Sequence, residues 1–460
     1  MKHRAVCSLF CTLLLAFVCT TPSGRAQQTQ PDFSALEQTI ADELKATHTP
    51  GAALGIVRGD RLIYAKGFGT ANVESGAPVT PDMLFRLGST TKMFTAAALV
   101  QLANAGKLDL KQSIGKYARG LNPKLAQVNS HQLLTHTSGL SDGATMFGKH
   151  DDEALGETVR ALKDSDFFTA PGRIISYANP GYWVAGYVIE QVSGKAYADQ
   201  LAESLFKPLG MQRTTLRPTL AMTYPLAQGH EGAPAKIIRP AADNAGNWPA
   251  GSIFSSVNDL SRWVIALLNE GKLDGQQVLA PGLLTQLAAP HAAVPGSEMH
   301  YGYGLMSGSE RGVKLIQHSG SRSGYGSQIT LAPEQRTAVI LLLNRTGGSL
   351  PKTVEKALEL LLPPQPKSAP PTKQPLTEAE IDRCVGKFGQ ATSDIELLKR
   401  DGQLWLAQGT RSLPVSKLGA GRYVAGEPGQ PPATEFALVF GADGKAEYFH
   451  AGLRSRRRIK

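Results

Sequence analysis

The stretch Phe85-Arg86-Leu87-Gly88-Ser89-Thr90-Thr91-Lys92-Met93-Phe94 leads into an apolar run, residues 93–105, which has neither glycine nor proline and predicts a helix. Ser89 and Lys92 are three positions apart, so both lie on the same helical face. An amine that enters an apolar core loses solvation, which lowers its pKa and lets it accept the proton of a neighbouring hydroxyl. Ser89 and Lys92 are therefore a candidate nucleophile and its base.

The Ser-x-x-Lys spacing occurs four times in the 460 residues, so context has to choose among the four pairs. A glycine within the pair that begins at Ser113 predicts a solvated loop there. A proline just after the pair that begins at Ser204 predicts a helix end, and a proline inside the pair that begins at Ser349 predicts a helix start. Only Ser89 opens an apolar helix. The alternative for Ser89 is a capping serine, with a lysine whose stem lies on apolar surface.

The segment Ser176-Tyr177-Ala178-Asn179-Pro180 contains the only Tyr-x-Asn of the chain and precedes another apolar helix. Acyl transfer needs a proton for the leaving group, and a phenol near an ammonium can shuttle protons because the positive charge favours its ionised form. A carboxamide can hold both a substrate carbonyl and the lysine. We therefore expect Tyr177 to be catalytic and Asn179 to bind substrate. The alternative is a simple turn, where Asn-Pro is common.

The segment His318-Ser319-Gly320-Ser321 ends a β-prone run, and Gly320 would let a substrate approach the backbone there. The N–H of Ser321 could form an oxyanion hole with the N–H of Ser89, while His318 could bind a substrate carboxylate or polarise the site. His-x-Gly recurs at His230, His300 and His450, so the tripeptide alone is not specific. A structural histidine is the alternative.

Ser89-Thr90-Thr91-Lys92, Tyr177-Ala178-Asn179 and His318-Ser319-Gly320 occur in the order found in the serine β-lactamase and penicillin-binding superfamily, which the chain resembles over residues 32–362. The decapeptide His-Gln-Leu-Leu-Thr-His-Thr-Ser-Gly-Leu at 131–140 resembles a signature of the class C branch. That branch includes class C β-lactamases, D-Ala-D-Ala carboxypeptidases, D-aminopeptidases and related esterases. Residues 249–252, Pro-Ala-Gly-Ser, are similar to its Pro-Ala-Gly-Gly stretch.

The resemblance implies that Ser89 is acylated, that Lys92 and Tyr177 share proton transfer, and that Asn179 orients the substrate. Class C β-lactamases usually have Lys-Thr-Gly where this chain has residues 318–320, and a histidine there is more like the carboxypeptidases and peptidases. We therefore expect an exported serine hydrolase that cleaves a D-amino-acid peptide or a small ester. The alternatives are a penicillin-recognising binding or sensor protein that acylates without turnover, and a true β-lactamase.

Residues 1–26 predict a secretory signal, because a basic start precedes an apolar run and small residues surround the cleavage position. We expect a secreted or periplasmic protein whose mature chain has no transmembrane segment. Lipidation at Cys19 is the less favoured alternative, since Val18 precedes it. Three of the four cysteines lie in this signal, so Cys384 would have no partner for an internal disulfide.

The formal net charge is +10, and a basic cluster at 454–460 predicts a solvated strand end or a contact with anionic lipid or cell-wall polymer. Peptidoglycan is therefore a candidate partner beside a small-molecule or peptide substrate. No recognition helix or interleaved aromatic pattern indicates nucleic acid. Because neither a metal-ligand spacing nor a phosphate-binding glycine loop occurs, we expect no metal and no cofactor.

Apolar residues at helical spacing from Phe33 to Leu44 predict a first helix, and β-prone runs at 52–57 and 62–67 predict a hairpin that turns at Gly59-Asp60. Further short apolar runs predict antiparallel strands at 303–306, 313–317, 326–331 and 337–343. Together these signals predict an α+β protein in which helices flank an antiparallel sheet and a helical part is inserted.

The resemblance makes this sheet β-lactamase/transpeptidase-like. A proline-rich linker separates it from a small β-rich C-terminal domain. The predicted divisions are a signal at 1–26, a hydrolase domain at 27–362, the linker at 363–375 and the β-rich domain at 376–460.

Overall fold

The computed structural model describes residues 31–143, 145–310, 312–362, 372–389, 394–419, 421–427, 430 and 433–459. Met1–Asp32 forms one unit and Phe33–Lys460 a second, and the second unit contains all the elements named below. The predicted signal at 1–26 and most of the linker at 363–375 lie outside the described residues. The predicted domain divisions therefore stay predictions.

Thirteen α-helices occur in the described residues, with short 3₁₀ turns and one π-helical segment between some of them. In chain order the helices are α1 (Ser34–Ala46), α2 (Thr91–Asn104), α3 (Pro123–Gln127), α4 (Ser130–Leu134), α5 (Ala154–Arg160), α6 (Asn179–Ser193), α7 (Tyr197–Leu201), α8 (Pro218–Ala221), α9 (Trp248–Gly251), α10 (Val257–Leu268), α11 (Leu283–Ala288), α12 (Pro351–Leu361) and α13 (Glu378–Cys384).

The strands between residues 77 and 301 have only two residues each, and the longer strands lie before residue 73 or after residue 305. In chain order the strands are β1 (Gly51–Arg58), β2 (Arg61–Asn72), β3 (Ala77–Pro78), β4 (Phe85–Arg86), β5 (His230–Glu231), β6 (Lys236–Ile237), β7 (Phe254–Ser255), β8 (Lys272–Leu273), β9 (Gln276–Gln277), β10 (Ala292–Ala293), β11 (His300–Tyr301), β12 (Met306–Glu310), β13 (Val313–Arg322), β14 (Tyr325–Ala332), β15 (Thr337–Leu343), β16 (Gly386–Gly389), β17 (Ile395–Arg400), β18 (Gln403–Gln408), β19 (Arg411–Gly419), β20 (Arg422–Ala425), β21 (Thr434–Phe440), β22 (Ala446–Ala451) and β23 (Arg454–Arg458).

A nine-stranded antiparallel sheet lies at the centre, in the order β10-β11-β12-β13-β14-β15-β1-β2-β3. Strand β1 is buried on both faces: Leu54 packs in the cluster with α1 and α12, and Ala53 packs in the cluster of the other helices. Alternate side chains of a strand point to opposite faces, so helices cover both sides of the sheet. Leu54 pairs with Leu341, which makes the helices between these strands an insertion, and the predicted α+β fold class is confirmed.

The predicted hairpin that turns at Gly59-Asp60 is confirmed, because Arg58 pairs with Arg61. A strand predicted at 303–306 is wrong: the chain turns there, with the Gly302 N–H donating to the Leu305 carbonyl at 2.8 Å. Gly304 has a φ of +69°, and a Cβ on it would lie 2.5 Å from the Lys92 carbonyl oxygen. This turn lets the connection between β11 and β12 pass directly against α2.

The C-terminal residues form a closed barrel of eight antiparallel strands, β16 to β23, around its own apolar core. The small β-rich part predicted from the sequence is thus confirmed. The basic cluster at 454–458 is the last strand of the barrel and pairs with β22, while Phe388 of β16 pairs with Arg458. Cys384 is buried as a free thiol. Among the described residues, no helix is both long and apolar enough to cross a membrane.

The hairpin β22–β23 lies against the segment that leads into α6. The Tyr448 and Thr169 hydroxyl oxygens are 2.6 Å apart, and the Ser455 N–H donates to Ser176 Oγ at 3.1 Å. The Tyr177 N–H donates to the Leu453 carbonyl at 2.7 Å. The barrel therefore adjoins the backbone that carries the predicted Tyr-x-Asn motif.

Candidate active site

Ser89 lies in a 3₁₀ turn, Gly88–Thr90, that leads directly into α2. The residue that caps α2 is Thr90, and its side chain forms no capping hydrogen bond, so Ser89 is not the helix cap. Ser89 is half-buried, whereas Lys92 is completely buried. The Lys92 Nζ lies 3.1 Å from Ser89 Oγ, as the spacing of the two residues predicts.

The Lys92 amine has two further partners, Asn179 Oδ1 at 2.8 Å and the Ala250 carbonyl at 2.6 Å. Burial lowers the pKa of Lys92 from 10.5 to about 7, with a smaller opposing effect of Asp142. A neutral amine has two N–H groups and one lone pair. Its two donors can serve Asn179 and Ala250, which leaves the lone pair for the Ser89 hydroxyl proton. The geometry therefore suits a neutral lysine that acts as a base.

The Tyr177 side chain is buried, and the centre of its ring lies 4.8 Å from Lys92 Nζ. Burial raises the pKa of Tyr177, and this effect outweighs the hydrogen bond with Ser89 and the charge of Arg454, which lower it. The expectation that a neighbouring cation favours the ionised phenol is therefore wrong, because desolvation dominates. The structure places a protonated phenol, and not a phenolate, beside Ser89.

His318 belongs to a buried chain of hydrogen bonds with His136 and Tyr301. The Ala178 N–H donates to His136 Nδ1 at 3.1 Å, so His136 Nε2 carries its proton and donates to the Tyr301 hydroxyl at 3.1 Å. Tyr301 in turn donates to His318 Nε2 at 3.0 Å, and His318 Nδ1 donates to the Ser319 carbonyl at 2.6 Å. Both ring nitrogens of His318 are therefore bonded within the protein.

The imidazole of His318 is neutral at ordinary pH, because burial lowers its pKa from 6.5 to about 3. A neutral ring offers no positive charge for a substrate carboxylate. A direct contact between this ring and a substrate would also require one of its two internal hydrogen bonds to break. The role of His318 as a substrate-binding residue stays a prediction.

The backbone of Gly320 and Ser321 packs directly against that of Gly88 and Ser89. A Cβ on Gly320 would lie 1.9 Å from the Leu87 carbonyl oxygen and 2.9 Å from the Ser89 nitrogen. A Cβ on Gly88, whose φ is +53°, would lie 2.6 Å from the Ser321 nitrogen. Only glycine allows this approach at either position, so the two amides expected to form an oxyanion hole come from adjoining segments.

Two residues at the site were missed by the sequence reasoning. Asp142 Oδ1 accepts hydrogen bonds from both the backbone and the side-chain nitrogen of Asn179. Asp142 Oδ2 accepts from Arg454, which comes from strand β23 of the barrel. Asp142 follows the 131–140 decapeptide almost immediately, which is a signal for its place near the site. Arg454 is more than three hundred residues away, and no local pattern indicates it.

A buried charge cluster lies beside the site, formed by Arg86, Asp243 and Arg322. Arg86 donates to Asp243 and to the Ala242 carbonyl, and Arg322 Nη2 lies 3.5 Å from the same Asp243 carboxylate. Arg322 also donates to the Gly251 carbonyl at 3.3 Å. The cluster thus joins the strand before Ser89 to the helix that supplies the Ala250 carbonyl.

The antiparallel sheet thus carries a half-buried serine beside a buried lysine and a buried tyrosine, the three groups that an acyl-transfer site of the serine type requires. The family model described as Beta-lactamase matches residues 36–362, and the chain belongs to this family. The resemblance to the serine β-lactamase and penicillin-binding superfamily, inferred from the three short motifs, is thereby confirmed.

Among curated relatives, Protein flp of Staphylococcus aureus (strain MW2) is 26% identical over 330 residues, which cover 70% of this chain and 64% of flp. The chain thus spans less than two thirds of the length of flp. Among solved structures, SurE crystallised with D-Leu has a TM-score of 0.73 at 25% identity, and the match covers 92% of this chain and 99% of the SurE chain. The D-amino acid amidase from Ochrobactrum anthropi SV3, complexed with L-phenylalanine amide, has a TM-score of 0.58 at 27% identity. This match covers 71% of this chain and 97% of the amidase chain.

Proposed function

We propose that this protein is an exported serine hydrolase that cleaves an amide or an ester through an acyl-enzyme on Ser89. A D-amino-acid peptide or a small ester is the proposed substrate. The observation that carries the proposal is the 3.1 Å contact between Ser89 Oγ and a buried lysine whose pKa is about 7. Such a lysine is neutral in a large fraction of molecules near pH 7 and so supplies the base that an alcohol nucleophile needs.

In the proposed reaction, Ser89 Oγ attacks the acyl carbon while its proton passes to the neutral Lys92. The N–H groups of Ser89 and Ser321 stabilise the oxyanion of the tetrahedral intermediate. Tyr177, which is protonated, donates its proton to the leaving amine or alcohol and is reprotonated from Lys92 as the carbon–nitrogen or carbon–oxygen bond breaks. Water then attacks the acyl-enzyme in the same way, and the Ser89 proton is restored.

The neutral state of His318 supports an uncharged substrate, such as a small ester or the amide of a D-amino acid or D-peptide, over a β-lactam or a peptide with a free C-terminal carboxylate at that place. A β-lactam carries a carboxylate, and Lys-Thr-Gly enzymes have a cation at the position that His318 occupies here. Burial keeps the His318 ring neutral and internal hydrogen bonds occupy both of its nitrogens, so no charge is there to pair with that carboxylate. The similarity to a D-amino acid amidase also supports an amide with a D-configured residue. Comparing the hydrolysis of a D-Ala-D-Ala peptide, a D-amino acid amide, nitrocefin and p-nitrophenyl butyrate tests this ranking.

A burst of p-nitrophenol followed by steady turnover of p-nitrophenyl butyrate is expected from the hydrolase. A penicillin-recognising sensor would give the burst without the turnover, and a true β-lactamase would hydrolyse nitrocefin fastest in the panel. Either result would contradict the proposed function while leaving Ser89 as the acylated residue.

We expect kcat/KM to rise with pH through about 7 and then to level off. The pKa of Lys92 is lowered to about 7, so the base is protonated and inactive below this pH and free above it. The measurement is the pH dependence of kcat/KM for a neutral ester, whose own charge does not change in this range. A profile that stays flat over about three pH units, from about 5.5 to about 8.5, would show that Lys92 is not the titrating base.

A further inference from the structure

Asp142 bridges the active site and the C-terminal barrel, with each of its carboxylate oxygens bound to a different part. Oδ1 accepts from the Asn179 backbone N–H at 2.9 Å and from Asn179 Nδ2 at 3.0 Å. Oδ2 accepts from Arg454 Nη2 at 2.6 Å and Nε at 3.2 Å, a fork-shaped contact. The Asp142 side chain is 20% exposed and the Arg454 side chain 49%, so the Asp142 end of this bridge is shielded from solvent while the Arg454 end is open to it.

The bridge decides which way the Asn179 amide faces. A carboxylate accepts hydrogen bonds and donates none, so the group of Asn179 that faces Asp142 must be the NH₂. The carbonyl Oδ1 must then face Lys92 Nζ, where it accepts at 2.8 Å. A flipped amide would place its oxygen against a carboxylate and its NH₂ against an amine. The side-chain hydrogen bond to Asp142 would be lost, and the NH₂ would compete for the Lys92 lone pair that the Ser89 proton needs.

Asp142 also serves the start of α6, the fifteen-residue helix that begins at Asn179. The preceding residue is Ala178, whose side chain has no capping oxygen. The Asp142 carboxylate takes the first free N–H of the helix, where a negative charge is also favoured by the helix dipole. The position of Asn179 is therefore fixed through both its backbone and its side chain.

Resting on the proposed Ser89 chemistry, we propose that Asp142 is a positioning residue that orients Asn179 toward Lys92, and that the barrel holds Asp142 in place through Arg454. The barrel is then a working part of the active site and not a separate attachment. The order of contacts is Arg454, Asp142, Asn179, Lys92 and Ser89, each bound to the next.

The same chain of contacts gives a pH signature, because the two charges act on Lys92 in opposite directions. Asp142 raises the pKa of Lys92 and Arg454 lowers it, while burial is the larger cause. The other titratable groups near Lys92 are two tyrosines and two histidines: Tyr177, Tyr182, His136 and His318. Burial raises the pKa of both tyrosines and lowers the pKa of both histidines. All four are neutral near pH 7, so Asp142 and Arg454 are the charges that can shift the base.

The test compares Asp142→Asn, Arg454→Gln and the double variant by the rate at which a fluorophosphonate labels Ser89 and by ester kinetics. Asp142→Asn is expected to lower the labelling rate and kcat by about tenfold to a hundredfold, because Asn179 loses its fixed orientation toward Lys92. The acidic limb of the pH profile should move to lower pH in Asp142→Asn and to higher pH in Arg454→Gln. If Arg454 acts through Asp142, the double variant is no slower than Asp142→Asn alone.

Arg173→Gln is the matched control, since Arg173 forms a second ion pair with the barrel, 3.0 Å from Glu447, without reaching Asn179. It should leave kcat and the pH profile unchanged. Thermal unfolding of each variant identifies loss of folding. If Asp142→Asn does not fold, the proposal is tested by Arg454→Gln alone. This variant should then show a lower kcat and an acidic limb that is shifted to higher pH.

An Asp142→Asn variant that labels at the wild-type rate with an unmoved pH profile would overturn the proposal. Additive losses in the double variant, with a raised KM in Arg454→Gln, would show that Arg454 contacts the substrate itself and would overturn the assigned role of the barrel. A wild-type protein that does not label at Ser89 would instead contradict the proposed function, so the two failures are distinguishable.

Discussion

Ser89→Ala is expected to abolish covalent labelling by a fluorophosphonate or a fluorescent penicillin. It should lower ester turnover on the order of 10⁵-fold, because the atom that forms the acyl-enzyme is removed. The measurement is in-gel fluorescence together with p-nitrophenyl butyrate hydrolysis. Ser89 is half-buried and caps no helix, so the variant should fold with a melting temperature close to that of the wild type.

Ser113→Ala is the matched control for this experiment, because Ser113 has the same spacing to Lys116. Lys116 is exposed and its amine binds the Gln112 side chain, and no hydrogen bond joins it to Ser113 Oγ among the described contacts. Labelling and turnover should therefore equal those of the wild type. Labelling that persists in Ser89→Ala would place the nucleophile elsewhere and contradict the proposed function.

Asp243→Asn is expected to reduce the free energy of unfolding by about 3–5 kcal/mol, the usual cost of removing one partner of a buried ion pair. Asp243 is the carboxylate shared by Arg86 and Arg322, and the side chains of Arg86 and Arg322 are 5% and 12% exposed. Removing the single negative charge leaves two buried guanidinium groups uncompensated, which is far more costly than breaking a surface pair. Urea unfolding followed by circular dichroism measures the loss.

The control for this prediction is Asp274→Asn, which breaks the exposed ion pair between Arg262 and Asp274. That pair has an N–O distance of 2.8 Å, and the Asp274 side chain is 71% exposed. The expected loss is below about 1 kcal/mol, because solvent screens the pair. Equal stability losses in the two variants would contradict the view that burial makes Asp243 important.

A second readout of Asp243→Asn is catalytic. Arg322 donates to the Gly251 carbonyl, and the neighbouring Ala250 carbonyl accepts from Lys92. Loss of the cluster should therefore slow labelling of Ser89 under conditions where the variant is still folded. We expect this coupling because the cluster holds the segment that lines one side of the lysine.

Much of the fold followed from local patterns. The hairpin over β1 and β2 was predictable because apolar runs flank a Gly-Asp turn, and α1 because its apolar residues recur at helical spacing. The strand predicted at 303–306 was wrong for a reason that no local pattern contains. Gly304 passes against the Lys92 backbone, which belongs to a helix two hundred residues earlier.

The sequence by itself determined that Ser89 and Lys92 share one helical face, that Tyr177 and Asn179 precede a helix, and that Gly320 permits a close backbone approach. These are consequences of spacing and of residue type over a few positions, which the chain carries wherever it folds. Only the tertiary structure decided that Tyr177 stays protonated, that His318 is neutral and internally bonded, and that Arg454 reaches Asp142. Protonation states and charge pairs depend on desolvation and on neighbours from distant segments, and packing alone brings those together.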